Sequence, residues 1–243
     1  SRGPAGLLYR ILSLGDRTVT EESRAADAWL IRWLSIAGIP AACILHGYVG
    51  FLFGAVKANP WWSTALMPVI FLASAIVSGI AGLLALYLFI CWRRRVTPDA
   101  ACVQSLSRYL WVALIVAVSL EMLELLHMAY ESGSEWHVLS MLLTERLAVS
   151  YGLVQVLIGS LCPFVLLLLA IRPQNNPRVV ALLSGVASLL ILVQVFAMRW
   201  NVVVGGQLFS KSFRGFVEFP LPVGGREGII AAAMPEAAFV AEE

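Results

Sequence analysis

"PVIFLASAIVSGIAGLLALYLF", Pro68–Phe89, runs for 22 positions without a charged side chain. An α-helix rises 1.5 Å per residue, so about 20 apolar residues cross the roughly 30 Å hydrocarbon layer of a bilayer. The stretch therefore reads as a transmembrane helix, and it is the heart of one of five such runs: about 30–54, 65–92, 109–130, 148–171 and 179–200. Hydrophobic residues make up 60% of the 243-residue chain and charged ones 13%, against about 45–50% and 25% in soluble domains. The runs are internal and repeated, which a single secretory signal cannot explain. The sequence thus specifies an all-α fold, a polytopic integral membrane helix bundle with five transmembrane helices.

Within the second run Ser74, Ser78 and Gly82 recur every four residues with Gly79 beside them, a small-residue face suited to close helix contact. Gly47, Gly50 and Gly54 lie near the outer end of the first run. Pro40 and Pro163 each remove a backbone hydrogen bond and are expected to bend their helices. No strand pattern and no short repeat interrupts the helical reading.

Orientation follows from the basic residues of the short loops. Arg93, Arg94, Arg95, Arg108, Arg172 and Arg178 flank the second-to-third and fourth-to-fifth connections, while the other two carry only Lys57 and Arg146. Six against two places the arginine-rich loops in the cytoplasm. Residues 1–28, with Arg10, Arg17 and Arg24, then form a cytoplasmic segment, 29–200 the bundle, and 201–243 an extracytoplasmic tail or the start of a further helix. Lys211, Arg214 and Arg226 in that tail weigh mildly the other way. Trp61, Trp62, Tyr130, Trp136, Tyr151 and Trp200 are expected as interfacial anchors at outer helix ends. The chain opens on "SRGPAGLLYR" and closes on "AAFVAEE", so it is expected to be part of a larger protein.

Several chemistries lack their residues. A net charge of +2 gives no basis for nucleic-acid binding. Cys43, Cys91, Cys102 and Cys162 are scattered, without the spacing of an iron–sulfur, zinc or c-type haem site, and are expected to be packed or unreactive thiols. His46 and His127 are the only pair that could bracket a b-haem, but their heights differ by about 6 Å. No Gly-rich phosphate loop or Ser/His/Asp arrangement occurs.

What remains is a small polar set inside the apolar runs. Only two of the fifteen carboxylates fall within a span, Glu121 and Glu124 in "SLEMLELLHMAYE", with His127 one step further. The three climb about 9 Å toward the outer surface as a slanted stripe. His46 on the first run lies at nearly the depth of Glu124 and is the expected partner. Ionised groups in hydrocarbon cost several kcal/mol unless paired, and burial favours the neutral forms of acids and imidazoles, which suits them to passing protons. His46, Glu121, Glu124 and His127 are the candidate quinone pocket or proton path. Each has a plainer reading: a hydrogen-bonded packing histidine, or a protonated link between helices. Gln155, Gln194 and Ser184 are expected to be interhelical hydrogen bonds. Arg146 and Arg199 are by default snorkelling anchors, though either could hold a quinone carbonyl or a partner protein at the outer face.

His46, followed by "NPWWSTALMPVIFLASAIVSGIAG" with Pro60, Trp62, Pro68, Phe71, Ser74, Ala75, Ser78 and Gly79, resembles the polysulfide reductase membrane-subunit (NrfD-like) family. "MRWNVVVGGQ", residues 198–207, is similar to the branch found in the sulfite-reduction-associated (DsrP-like) complex and in related quinone-reductase complexes. The resemblance implies an integral subunit free of haem and iron–sulfur clusters in the prokaryotic cytoplasmic membrane. Such a subunit exchanges electrons between menaquinone or ubiquinone and an extracytoplasmic, ferredoxin-like iron–sulfur subunit. It also implies two four-helix bundles, so the first bundle, where the family's quinone site is usually placed, would lie outside this chain. The chain would then be a non-catalytic or quinone-oxidoreductase subunit within a larger oxidoreductase complex, with membrane lipid and the other subunits as partners. A proton-coupled transporter and a structural membrane anchor are the competing readings.

Overall fold

A computed structural model describes residues 21–59, 61–131, 133–172 and 176–208. Expectations for residues 1–20 and for the tail beyond 208 fall outside the described residues. The chain divides into two units, Ser1–Tyr48 and Val49–Glu243. The first is described from residue 21 as part of helix α1 (Glu21–Gly54), which continues through Pro40 without ending.

The second unit contains the end of α1, then α2 (Met67–Arg94), α3 (Ala100–Glu131), the short α4 (Ser134–Met141), α5 (Cys162–Ala170) and α6 (Pro177–Trp200). Between α4 and α5 the backbone follows wide π-type turns over Leu142–Arg146 and Ala148–Leu161, and α6 ends in another at Asn201–Gly205. No strand occurs among the described residues. Among the described residues five helices are long and apolar enough to cross a membrane: Arg24–Gly54, Met67–Arg94, Ala100–Glu131, Ala148–Ala170 and Pro177–Gly205. Hydropathy places the spans but not their ends. α3 begins nine residues before the apolar run, because Asp99 caps it: its Oδ1 accepts from Ala101 N at 2.9 Å, and its own N–H donates to the Tyr87 hydroxyl at 3.0 Å. The helix α4 in the third connection is too short and polar for a hydropathy reading to register.

Pro163 stands in the first turn of α5, directly after a widened stretch of helix. Proline cannot donate to the carbonyl four residues back, and its ring crowds that carbonyl. The wide turns are bonded i→i+5: Leu147 N–H reaches Leu142 O at 2.9 Å, and Cys162 N–H reaches Leu157 O.

Two apolar clusters fill the second unit. One is built on Val77, Leu84, Leu110, Leu114 and Ile191. The other, at the opposite end of the helices, is built on Trp61, Met67, Phe71, Leu139 and Met198. Leu83, Leu126, Leu182 and Phe196 point outward, as lipid-facing residues must. Trp61 and Trp62 are not interfacial anchors. Trp61 is buried in the second cluster, and Trp62 donates its indole N–H to Val202 O at 2.7 Å.

The small residues of α2 do not mark a close contact within this unit, since a methyl group added at Gly79 or Gly82 meets no neighbour there within 4 Å. Close approach occurs elsewhere. A Cβ at Gly50 would stand 2.8 Å from Met67 O, so glycine lets the end of α1 meet the start of α2. A Cβ at Gly159 would collide with Gln194, so glycine brings the wide-turned helix onto α6. Ser184 makes the interhelical bond expected of it, accepting from Ser107 at 2.8 Å.

Candidate functional site

The wide-turned helix and α6 carry single amides in apolar surroundings, and both amides converge on α3. Glu121 Oε2 accepts from Gln155 Nε2 at 3.0 Å and Oε1 from Gln194 Nε2 at 3.5 Å. Behind Gln155 the chain of donors continues: Asn201 Nδ2 donates to Gln155 Oε1 at 2.8 Å, and Ser150 Oγ to Asn201 Oδ1 at 2.7 Å. Every donor in the series Ser150, Asn201, Gln155 points toward the Glu121 carboxyl. Gln155, Gln194 and Asn201 are all buried. A carboxyl in largely apolar surroundings is tolerable when its oxygens are satisfied in this way.

Glu124, one helical turn along, is only 6% exposed. Thr64 and Glu124 line the same outer cavity, and the Glu124 Oε1 has no partner among the described residues. Glu124 stands between two spaces. Outward lies a cavity of about 340 Å³, lined by Lys57, Thr64, Glu124, His127, Glu131 and Trp136 among others. Inward, Glu124 shares a space of about 20 Å³ with Glu121, Tyr151 and Gln155, enough for a single water molecule.

The stripe expected on α3 is therefore split. Two steps of three residues turn the helix by about 120°, and they carry His127 out of the interior. Its side chain is 62% exposed at the cavity rim, with Nε2 at 3.7 Å from Glu131 Oε1. His46 belongs to the first unit, where its Nδ1 faces the Ala42 carbonyl of its own helix at 3.0 Å. Arg146 is exposed at the end of Leu142–Arg146. Arg199 does not snorkel. Its Nη2 donates to Ser74 Oγ at 3.3 Å, its guanidinium stands 5.8 Å from the Phe71 ring centre, and its Nε is buried without a partner among the described residues.

Sequence reasoning placed Gln155 and Gln194 between helices but did not connect them to Glu121. A lone amide in an apolar span was the available signal. Thr64, Ser150 and Asn201 gave none, since they sit in a connection or at helix ends where polar residues are ordinary.

These features define a class: a multi-pass membrane protein with a pair of carboxylates held inside its helix bundle. The chain belongs to the family described as polysulphide reductase, NrfD, whose pattern it matches over residues 5–211. It is 40% identical over 95 residues to the C subunit of the selenate reductase of Mesobacillus selenatarsenatis, an overlap covering 37% of this chain and 22% of that protein. It is 30% identical over 91 residues to the putative membrane C subunit of a dimethyl sulfoxide reductase of Halobacterium salinarum, covering 37% of this chain and 21% of the relative. The matched stretch thus spans about a fifth of each relative's length. No solved structure matches.

Proposed function

We propose that the chain is part of the quinone-interacting membrane subunit of a respiratory redox complex, passing electrons between membrane quinol and an extracytoplasmic iron–sulfur partner. Membership of the NrfD family, and relatives named as the C subunits of reductases, support a place in a reductase built of several subunits. The observation that carries the proton part of the reading is the position of Glu124, sealed between an outward cavity and the space it shares with Glu121.

Oxidation of a quinol releases two electrons and two protons. The electrons leave for the partner, and the protons need acceptors that lead out of the hydrocarbon. Glu124 takes a proton from the inner side through one water at Glu121, and returns it to the cavity bordered by His127 and Glu131. Its free Oε1 gives that proton a place to bind without breaking an existing hydrogen bond. Gln155 and Gln194 hold the Glu121 carboxyl in one orientation while its proton comes and goes. The cavity of about 340 Å³ falls at the lower end of the roughly 300–1,000 Å³ typical of small-molecule sites.

Binding of a fluorescent quinol analogue to the purified protein tests the reading. Stoichiometric quenching is the expected result. An absence of quenching in the complete complex would leave a transporter or an inert anchor as the better description.

A further inference from the structure

We propose a binding site for an anionic phospholipid headgroup at the opposite end of the second unit from the carboxylates, in the cleft between the end of α2 and the start of α6. The cleft holds about 720 Å³ and is bordered by Arg93, Arg95 and Arg178, with Leu88, Trp92 and Leu182 among its apolar walls. Among the described residues none of the three arginines forms an ion pair. The neighbouring acid, Asp99, is engaged in capping α3. Three guanidinium groups gathered in one recess without a carboxylate form a cationic site that lacks its counter-charge, and guanidinium geometry suits phosphate oxygens.

Backbone geometry adds to this. Arg95 is the only non-glycine residue with positive φ among those described, at 54°. It closes α2 in the left-handed conformation that glycine usually supplies, its N–H turned back to Cys91 O and Trp92 O. A glycine would make that turn with less strain but would remove one of the three charges from the cleft.

The walls decide between a lipid and a soluble anion. Trp92 is 73% exposed and Leu182 66% exposed on the faces that flank the arginines. A soluble phosphate has no use for such walls, whereas acyl chains descending along α2 and α6 would cover them. The arginine-rich loops are on the cytoplasmic side by the charge rule, the leaflet where anionic lipids collect. Three positive charges favour a headgroup with two phosphates over one with a single phosphate.

The test uses the native protein, purified in a neutral detergent and delipidated. Binding of cardiolipin, phosphatidylglycerol, phosphatidylcholine and inorganic phosphate is measured by native mass spectrometry and by thermal shift. Cardiolipin is expected to bind best, phosphatidylglycerol next, and phosphatidylcholine and inorganic phosphate weakly. At about 1 kcal/mol per arginine, each of R93Q, R95Q and R178Q should weaken cardiolipin about fivefold, and the triple variant about a hundredfold. Helicity by circular dichroism checks that each variant folds, and the single variants carry the test if the triple one does not. Equal binding of phosphatidylcholine would overturn the proposal. So would full competition by inorganic phosphate, which would assign the cleft to a soluble anion, or an unchanged lipid preference in the folded variants.

Discussion

Gln155 Nε2 lies 3.0 Å from Glu121 Oε2, joining the widened fourth span to the third across the bundle interior. The bond depends on the wide turns of Ala148–Leu161, which aim Gln155 at α3 while Gly159 lets Gln194 of α6 approach from the other side. The carboxyl and the two amides therefore form one structural unit, and substitutions there separate a loss of charge from a loss of hydrogen bonding.

Glu121→Gln keeps an acceptor for Gln155 and should change stability by under about 1 kcal/mol. Glu121→Leu removes the acceptor and strands two buried amides, which should cost about 1–3 kcal/mol. Thermal unfolding in detergent distinguishes them. Equal midpoints for the two variants would mean that the amides find other partners and that Glu121 is not the hub of the network.

Replacing Glu124 by Gln removes a proton-binding group while preserving shape. Assembly should be intact. Quinol-linked turnover of the purified complex should fall, on the order of a hundredfold for the loss of a proton-transfer group. Unchanged turnover would remove Glu124 from the proton route.

The five spans were legible because lipid imposes a single demand on every outward position, and a continuous run such as Pro68–Phe89 meets it openly. The acids were legible for the converse reason: Glu121 and Glu124 stand out against hydrocarbon. Their surroundings were not. Three-residue spacing suggested that His127 continues the stripe, but the angle accumulates and turns it to the rim. The periodicity of Ser74, Ser78 and Gly82 suggested helix contact, yet Ser74 receives Arg199, which sequence alone assigned to the interface. The widening of the fourth span could not be read from composition, since Pro163 announces a disturbance without specifying its form.

Gly159→Ala tests the closest helix contact in the site. Its Cβ would stand 2.9 Å from the Gln194 Cα, a backbone atom that cannot swing aside. The two helices must separate slightly, at a cost of about 1–3 kcal/mol for overpacking. The bond of 3.5 Å between Gln194 and Glu121, already long, should be lost. Combining Gly159→Ala with Gln194→Ala checks this by thermal unfolding: if Gly159→Ala already breaks the Gln194–Glu121 bond, the double variant should be less destabilised than the sum of the single ones.

Trp62→Phe tests how the first connection is fastened to the bundle. The indole N–H donates to Val202 O at 2.7 Å, and Asn59 Nδ2 donates to Gly206 O at 2.6 Å. Both acceptors lie where the wide turn of Asn201–Gly205 ends α6. Phenylalanine keeps most of the ring packing but removes one of the two hydrogen bonds to Val202 O, which still accepts from Gly206 N–H, so stability should fall by about 0.5–1.5 kcal/mol. The connection between α1 and α2 should also become more open to a protease. Thr64 sits on that same connection and lines the outer cavity together with Glu124, so loosening it should also disturb that cavity. Limited proteolysis and quinol-linked turnover measured on the same Trp62→Phe preparation should therefore change together. A cleaved connection with undiminished turnover would show that the cavity wall supplied by Thr64 is not needed for proton passage.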